Sequence, residues 1–372
     1  RTNQEAEDYL EKFTYVDTLK SQDWENNILL ISGGYGEDQR IRFRTVLSSG
    51  YNNMLARDLC ADSITFSRYD DESSESQGPM IRDAINNGTG LIMFVGHGSP
   101  KYIDNDGWQV QRLGNTGKYS HLLTVSCNTA DFAITSGRCR NDEYIMEKNK
   151  GCVGTMGFTY LSQISSDYPI ANNFFAMLAD RNRKSTTYAG LLNELKDRLG
   201  VDYKYSIAMI LAYLGDPLSK IRYAETDLFF PSSDVKVSNH TNLTDLSEFD
   251  STAFVDFDIT NLGFRPNDRF RVMAIRRSEA VTDTAYVFPE MGCHSASISF
   301  QFPVKDMKGR HYLTITIDPD SSIRDKDRSN NTLNTFFDVL PKGILMLDPN
   351  SNLDVSPNRP MFSFIRPNQS DT

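Results

Sequence analysis

The sequence has no run of eighteen apolar residues, so it offers no candidate for a membrane-spanning helix. It also lacks a basic cluster interleaved with aromatic residues, and its 49 acidic residues outnumber its 39 basic ones, for a net charge of −10 at pH 7. We therefore expect neither a nucleic acid nor an anionic membrane as the main partner. A complete GxGxxG fingerprint is missing as well, which argues against dinucleotide binding.

Cysteine and histidine are scarce, with five residues of each type among 372. The cysteines are scattered and form no CxxC pair, so they indicate neither a disulfide-rich framework nor a zinc site. We predict no metal site. The hydrophobic content of 39% is nevertheless enough for sizeable cores, and the length suggests two or three domains.

Two short apolar runs, Leu91–Val95 and Leu122–Val125, have the length and composition of buried strands. A Gly-His-Gly-Ser segment containing His97 follows the first run, and a Ser-Cys segment containing Cys127 follows the second. The carboxyl ends of parallel strands meet at one edge of a sheet, where ligands and chemistry gather. If the two strands are neighbours, the imidazole and the thiol face one another across that edge.

A cysteine nucleophile needs such a pairing, because only a few per cent of a free thiol with a pKa of about 8.5 is ionised at neutral pH. We therefore take Cys127 as the candidate nucleophile and His97 as its proton carrier. The backbone N–H groups of Gly98 and Cys127 are the natural donors to an oxyanion. Residues that flank these motifs, or lie in loops at the same edge, are the candidates for the substrate pocket: Gly96, Ser99, Trp108, Ser126, Thr159 and Tyr160.

Each candidate also has a structural interpretation. A lone cysteine at a strand end more often belongs to the core, and a histidine in a glycine-rich turn is usually a turn residue. Trp108 fits a pocket wall and a loop anchor equally well. Asp104 and Asp106 could orient His97 or attract a basic side chain, although solvent exposure is the default for acidic loop residues.

The first half of the chain alternates strands and helices, which predicts an α/β fold with a parallel sheet flanked by helices on both faces. The glycine-rich turn 33–36 follows the first strand but lacks a Gly-Lys-Ser/Thr signature, so we predict a plain turn rather than a nucleotide site. The predicted strands span 27–32, 62–67, 91–95, 122–125 and 151–157, and the predicted helices span 3–19, 38–59, 79–87, part of 133–148, 168–180 and 187–199.

The pattern changes beyond about residue 230, where apolar and polar residues alternate in repeated short runs. This period of two predicts an antiparallel, immunoglobulin-like β-sandwich over residues 234–340. Residues 341–372 are rich in proline and suggest the start of a further β module. One loop carries Asp318, Asp320, Asp325 and Asp327. Calcium is one interpretation of this cluster, but the spacing is not that of an EF-hand and favours a polar hairpin loop.

The motifs of the first half resemble the gingipain family of cysteine peptidases within the caspase-like clan. The segments that carry the resemblance are 96–99, 126–127 with Asp131-Phe132, 151–155, and 214–221 with its Gly-Asp-Pro turn. It covers roughly residues 1–222, and we assign the peptidase domain to residues 1–228. The resemblance implies a caspase-like sheet, with the nucleophile role for Cys127 and the proton-carrier role for His97. It also implies that the first strands of the sheet precede Arg1, and it leaves open whether an acidic partner of the histidine lies there.

The second domain resembles CARDB-type modules of surface proteins, through the segments 259–263, 316–319 and 327–331. The layout of the two domains is similar to that of the PorU-type sortases of the type IX secretion system. These sortases cut a C-terminal signal from cargo proteins and attach the cargo to the cell surface.

This likeness implies a polypeptide substrate, namely the C-terminal signal domains of cargo, and a partner in the outer membrane. It implies no cofactor, and it implies a secreted protein at the surface of a Gram-negative bacterium. Two alternatives stay open: a secreted gingipain-type protease, and a non-catalytic surface or secretion scaffold that keeps the fold.

Overall fold

A computed structural model describes residues 2–20, 22–68, 77–183, 185–199, 203, 206–222, 225–342, 345–348 and 363–365. The chain divides into two compact units. The first comprises residues 1–225 with 262–264, and the second comprises residues 226–261 with 265–372. In the described part of the chain, no helix combines the length and the apolar character needed to cross a membrane.

The first unit alternates helices and strands, as its sequence predicts. Its helices are α1 Asn3–Thr18, α2 Glu37–Leu55, α3 Gly78–Asn87, α4 Arg140–Met146, α5 Ile164–Leu178, α6 Tyr188–Arg198 and α7 Ile207–Ile210. Its strands are β1 Asn27–Ser32, β2 Leu59–Cys60, β3 Asp62–Ser67, β4 Leu91–Val95, β5 Gly98–Ser99, β6 Tyr102–Ile103, β7 Ser120–Val125, β8 Cys152–Phe158 and β9 Leu211–Gly215.

The central sheet has the strand order β3-β1-β4-β7-β8-β9 among the described residues. Strands β3, β1, β4, β7 and β8 are parallel, which confirms the predicted sheet. Strand β9 differs, because it pairs antiparallel with β8 in the register Gly154↔Gly215 to Phe158↔Leu211. Strand β9 is one edge of the sheet, and the chain reaches it through α5, α6 and α7.

Apolar cores cover both faces of the sheet, which explains why β1 and β4 are apolar at nearly every position. On one face, α2, α5 and α6 contribute buried residues such as Phe43, Phe174 and Leu191. On the other face, the core includes Ile81 from α3 and Trp108 from the loop between β6 and β7. The two helical layers leave the carboxyl ends of the parallel strands open for a site.

A buried lysine joins α1 to the end of α4. The ammonium group of Lys12, a residue only 2% exposed, donates to the carbonyl oxygens of Ile145 (2.6 Å), Glu147 (3.0 Å) and Lys150 (2.9 Å). It also lies 3.3 Å from the carbonyl oxygen of Cys152. One cation thus satisfies carbonyl groups that the end of the short helix α4 would otherwise leave unpaired.

Replacing Lys12 by Met should therefore destabilise the first unit by roughly 2–4 kcal/mol, because it leaves buried carbonyl groups without a donor. Urea unfolding followed by circular dichroism measures the change. Lys148→Met is a matched control, since Lys148 is exposed and only pairs with Asp8 at 2.8 Å. The control should lose less than about 1 kcal/mol. Equal losses in the two variants would contradict this role of Lys12.

The second unit is a β-sandwich, as predicted. One sheet contains β10 Asp227–Phe229, β11 Lys236–Ser238, β13 Thr252–Phe264 and β16 Ser295–Pro303. The other has the order β12-β18-β17-β14-β15, formed by Leu246–Ser247, Thr332–Leu340, Gly309–Ile317, Val272–Arg277 and Thr282–Val287. Burial alternates along these strands, strictly so in β16, and one apolar core lies between the sheets.

The aspartate-rich loop of the second unit is held by protein donors. The carboxylate of Asp318 accepts from the backbone N–H of Ile323 at 2.9 Å and from Arg328 at 2.7 Å. The other three carboxylates pair with Arg271 (Asp320), Asn331 (Asp325) and Ser329 (Asp327). These contacts are those of a polar loop closed by its own side chains. In the described ranges, no three His, Cys, Asp or Glu side chains are placed to hold a metal.

Most of the segment predicted as a further β module, residues 341–372, lies outside the described residues. Two short strands are described there, β19 Leu345–Asp348 and β20 Ser363–Ile365. They pair antiparallel with each other. The module itself stays a prediction.

Candidate active site

His97 and Cys127 end up at the same level of the sheet edge. Strands β4 and β7 are hydrogen-bonded neighbours, and Val95 pairs with Val125 in their register. His97 and Cys127 each follow these partners by two residues, and the Gly96 N–H still reaches the carbonyl oxygen of Val125 at 3.3 Å. The register therefore brings the predicted proton carrier and the predicted nucleophile into adjacent loops.

His97 opens a small hairpin that Asp104 closes. Strands β5 and β6 form the hairpin, and the Asp104 N–H donates to the carbonyl oxygen of His97 at 3.0 Å. The Asp104 carboxylate is fully buried and accepts from the backbone N–H of His97 (3.2 Å) and of Gly34 (2.6 Å). Burial raises the pKa of this carboxyl group. The Asp104 carboxylate thus fixes the loop by accepting hydrogen bonds from backbone N–H groups. The prediction that Asp104 is a solvent-exposed loop acid is wrong.

The side-chain partner of the His97 ring is Gln39, in the first turn of α2. Its Oε1 lies 2.9 Å from His97 Nε2 and accepts the backbone N–H of Tyr35 at 3.2 Å. Because the Tyr35 N–H can only donate, the atom that it meets must be the amide oxygen, so His97 Nε2 must carry a hydrogen. This arrangement leaves Nδ1 as the basic nitrogen that can take a proton.

Two aromatic rings complete the setting of the imidazole. Tyr35 stacks on it with ring centroids 5.0 Å apart and planes at 15°, and Phe43 meets it edge-on at 5.5 Å. Tyr35, Gln39 and Phe43 all come from the segment that follows β1. Since β1 lies beside β4, the same sheet edge that displays His97 also supplies the groups that hold its ring.

Cys127 lies in a tight turn that is tied to the loop after β8. Asn128 follows it with φ of 57°, a left-handed conformation that Asn adopts more readily than most residues. The Asn128 N–H donates to the carbonyl oxygen of Tyr160 at 3.1 Å. The Cys127 sulfur is 3.4 Å from both the backbone nitrogen and the hydroxyl of Ser162. These contacts hold the thiol at the edge of the sheet, half-buried.

The thiol and the imidazole do not contact each other directly. His97 Nε2 is bonded to Gln39 and Cys127 to Ser162, and no hydrogen bond joins His97 to Cys127, both of which the structure describes. Catalytic hydrogen bonds are often long in enzymes without substrate and shorten in the complex. Cys127 is a partly exposed thiol, whereas the thiols of Cys139 and Cys152 are buried. Access thus singles out Cys127 among these three.

The surroundings of the two predicted oxyanion donors, the N–H groups of Gly98 and Cys127, follow from the hydrogen bonds of their loops. Opposed residues of an antiparallel hairpin alternate between hydrogen-bonded and non-hydrogen-bonded pairs. Asp104 and His97 form a hydrogen-bonded pair, so the next pair, Gly98 and Ile103, is a non-hydrogen-bonded pair. The N–H of Gly98 therefore points away from β6. The N–H of Cys127 also meets no acceptor among the described residues. A Cβ on Gly98 would collide with the Ser126 hydroxyl, so glycine allows the close approach of the two loops.

The flanking pocket candidates have structural surroundings of their own. A Cβ on Gly96 would collide with Asp104 and Phe94, which makes Gly96 part of the support for the hairpin. Ser126 is 1% exposed, and its buried hydroxyl meets no hydrogen-bond partner among the residues that the structure describes. Ser99 pairs with Tyr102 in the hairpin and is half-buried. Of these three, Gly96 and Ser99 are half-buried and only Ser126 is buried.

Trp108 is an anchor of its loop and not a pocket wall. It is fully buried, and its Nε1 donates to the carbonyl oxygen of Asn105 at 2.7 Å. The guanidinium of Arg140 lies 5.8 Å from its ring and pairs with the carboxylate of Asp106. A fully buried indole has no surface to offer a substrate, which corrects its place among the pocket candidates.

The loop after β8 contributes the exposed candidates. Tyr160 is 62% exposed and its neighbour Leu161 is 61% exposed, whereas Thr159 is half-buried and donates its N–H to the carbonyl oxygen of Ile210 at 2.8 Å. These residues directly precede Ser162, which contacts the Cys127 sulfur. The Tyr160 carbonyl oxygen, which accepts from the Asn128 N–H, therefore lies beside the Cys127 turn. The place of Thr159 and Tyr160 in a substrate pocket stays a prediction.

Gln39 and Ser162 are the site residues that the sequence did not reveal. Gln39 carried a usable signal, since it lies in the first turn of the helix after a strand of the same sheet, at the edge where His97 lies. The glycine-rich turn before it drew attention to phosphate binding instead. Ser162 had no local signal, because only the packing of its loop brings it to the sulfur.

A second buried carboxyl group lies on α5, five residues after Ser162. Asp167 is 4% exposed, and burial raises its pKa to about 8, although Arg42 opposes this shift. In the unfolded chain the pKa of an aspartate is about 3.9, so the folded state binds this proton more tightly. The contribution of protonated Asp167 to the free energy of unfolding is therefore fully present below pH 4. This contribution is lost as the pH rises toward 8.

Asp167→Asn should remove this dependence, because asparagine cannot ionise. We expect the difference between the thermal unfolding temperatures at pH 5 and pH 8.5 to shrink by roughly 5 °C, measured by circular dichroism. Asp197→Asn, on the exposed side of α6, is the matched control and should leave the difference unchanged. An unchanged difference in Asp167→Asn would contradict the effect of burial.

Comparison with known families identifies the first unit. The sequence profile of Peptidase family C25 matches residues 1–222, and the chain belongs to that family. This finding confirms the resemblance inferred from the His97 and Cys127 motifs. No curated protein matches the chain significantly.

Three solved structures are among those similar to the chain. The complex of the Porphyromonas gingivalis RgpB pro- and mature domains is 16% identical, with a TM-score of 0.49, covering 89% of this chain and 73% of that one. The Arg-specific cysteine proteinase gingipain R is 18% identical, with a TM-score of 0.48, covering 90% and 72%. The CARDB domain of a Pyrococcus furiosus protein is 16% identical, with a TM-score of 0.23, covering 34% and 97%.

Proposed function

We propose that the chain is a cysteine peptidase in which Cys127 attacks the carbonyl carbon of a peptide bond. The observation that carries this proposal is the shared register of His97 and Cys127 at the open edge of the sheet. The supporting features are a partly exposed thiol, an imidazole held with Nδ1 as its basic nitrogen, the Gly98 N–H directed away from β6, and a Cys127 N–H without an acceptor among the described residues. Together they form the set that acyl transfer to a thiol requires.

The chemistry proceeds in two steps. His97 takes the thiol proton, the sulfur adds to the carbonyl carbon, and the N–H groups of Gly98 and Cys127 stabilise the negative oxygen. The C–N bond then breaks, and the imidazolium gives its proton to the leaving amine. The acyl group remains on Cys127 as a thioester, and either water or an amine resolves it.

The choice between water and an amine separates the protease from the sortase. We propose that an amine is the acceptor, and that the protein works as a type IX sortase at the surface of a Gram-negative bacterium. Its substrates would be the C-terminal signal domains of cargo, and a component of the outer membrane would be its partner. The support for this finer proposal is the layout, in which a β-sandwich unit follows the peptidase unit.

The non-catalytic scaffold has one observation in its favour. His97 and Cys127 each bond to another side chain, Gln39 and Ser162, and not to each other. A protein that had lost its activity could keep such an arrangement. Separate assays must therefore show whether the protein cleaves peptide bonds and whether water or an amine accepts the acyl group.

We would replace Cys127 by Ala in the complete protein in its own cell and compare cargo in the surface and periplasmic fractions. Accumulation of uncleaved cargo together with loss of surface attachment would support the sortase. In a second assay, the purified protein is incubated with a cargo-derived peptide, with and without an added amine. Cleavage without any amine-ligated product would identify an ordinary protease, and no effect in either assay would identify a scaffold.

A further inference from the structure

The outer edge of β9 presents unpaired backbone groups beside the active site. The Thr159 N–H donates to the carbonyl oxygen of Ile210, so these two residues form a hydrogen-bonded pair at the end of the antiparallel ladder of β8 and β9. Hydrogen-bonded pairs recur at every second position along such a ladder. Ala212 and Leu214 therefore direct their backbone groups to β8, whereas Tyr213 directs its N–H and C=O outward. No described strand pairs with this edge of β9.

Two cavities flank this edge, one on each face of the sheet. One, of about 570 Å³, lies beside α6 and is lined by residues such as Leu192 and Met209. The other, of about 460 Å³, lies beside α4 and is lined by residues such as Ile145 and Met146. The residues common to both cavities are Phe132, Tyr213 and Gly215. The two cavities are thus halves of one groove along the strand.

An added strand has the geometry that this groove accepts. Successive side chains of an extended peptide point to opposite faces, and so toward the two cavities in turn, while its backbone bonds to the edge. The walls are mostly apolar, and Met209 and Phe132 are 76% and 47% exposed. The groove therefore suits a peptide with apolar residues, and an apolar surface of this kind on a chain of mean hydropathy −0.45 marks an interaction site.

The groove is continuous with the candidate active site. Phe132 follows the Cys127 turn, in which the Asp131 N–H donates to the carbonyl oxygen of Asn128 at 3.2 Å. Thr159, another wall residue, immediately precedes Tyr160, which holds the same turn. A polypeptide bound in the groove would therefore be delivered to the thiol.

We infer that the groove along β9, defined by Phe132, Met209, Tyr213 and Gly215 together with the helix residues named above, binds an extended apolar segment of the polypeptide substrate. The segment adds to β9 as a further strand, on one side of the bond that Cys127 attacks. This inference rests on the proposed peptidase function, and it specifies the substrate as a chain with β-forming, apolar residues next to the cleavage site.

Binding is measured in the Cys127→Ala variant, so that catalysis plays no part. The probe is a fluorescein-labelled peptide of alternating Thr and Val, and fluorescence anisotropy reports its binding. Two further peptides carry N-methyl groups on alternate amides, one in each phase. An added strand bonds to β9 through only one set of amides, so one methylated peptide should bind at least ten-fold more weakly, while the other binds like the parent.

The variant Met209→Glu should weaken binding of the parent peptide about ten-fold, because it places a charge in the apolar wall. Met80→Glu on α3, 54% exposed, is the matched control and should not change binding. Equal binding of all three peptides, or no effect of Met209→Glu, would overturn the inference. So would self-association that Met209→Glu abolishes without any peptide binding, since a second copy would then occupy the edge.

The wild-type protein separates this inference from the proposed function. If the peptide binds with the expected phase dependence but is not cleaved, the peptidase proposal fails and the groove stands as a peptide site. If peptides are cleaved but neither methylation phase nor Met209→Glu matters, the peptidase stands and the groove proposal fails.

Discussion

Replacing Cys127 by Ala should lower kcat/KM for peptide cleavage at least 10³-fold. The thiol forms the covalent intermediate, so its removal leaves only the stabilisation that the backbone N–H groups and binding can supply. Cleavage of a fluorogenic peptide by the purified complete protein measures the effect. Circular dichroism should show an unchanged fold, because a half-buried thiol at the edge of the sheet contributes little to the core.

Cys139→Ala is the control for this experiment. Cys139 is also a thiol rather than half of a disulfide, but it is fully buried before α4. We expect it to keep most of the activity, with at most a small loss of stability. Equal activity in Cys127→Ala and wild type would remove Cys127 as nucleophile, whatever the control shows.

The second large effect concerns Gln39, the positioning residue of the imidazole. Gln39→Ala should lower kcat by about 10- to 100-fold with little change in KM, because the ring loses the acceptor that sets its tautomer. Gln39→Glu should restore much of kcat, since a carboxylate accepts the same hydrogen. It should also move the acid limb of the kcat/KM profile to higher pH by about one unit, because the negative charge favours the imidazolium.

The pH profile distinguishes positioning from a merely structural role. A variant that only weakened α2 would lower the amount of folded protein without moving the acid limb. Gln4→Ala, on the exposed side of α1, is the matched control and should leave kcat and the profile unchanged. If Gln39→Glu leaves the profile where it is in the wild type, Gln39 does not act through the imidazole.

Local patterns predict most of the first unit. Strands β1 and β4 occur where the apolar runs place them, because a buried parallel strand must be apolar on both faces. Strand β3 also occurs at its predicted position, although it is a largely exposed edge strand. The direction of β9 was beyond such patterns. It depends on how α5 and α6 pack on the sheet before the chain returns, and no local residue records that packing.

The candidate site also contains residues that the sequence predicts and residues that it does not. His97 and Cys127 could be found because each directly follows a strand, so the register of β4 and β7 alone brings them together. Gln39, Ser162 and Asp104 act through contacts made by tertiary packing, and Asp104 in particular reads as a surface acid although it is fully buried. Burial of Trp108 likewise follows from the packing of its loop, and its sequence neighbours do not specify it.

The most direct test of the central claim is covalent trapping of the thiol. A peptidyl acyloxymethyl ketone with apolar residues is incubated with the wild-type protein and with His97→Ala, and the modified cysteine is located by mass spectrometry. We predict an adduct on Cys127, formed in step with the loss of activity, and much slower formation in His97→Ala. An adduct on Cys139 or Cys152, or equal rates on Cys127 in the two proteins, would contradict a Cys127–His97 pair.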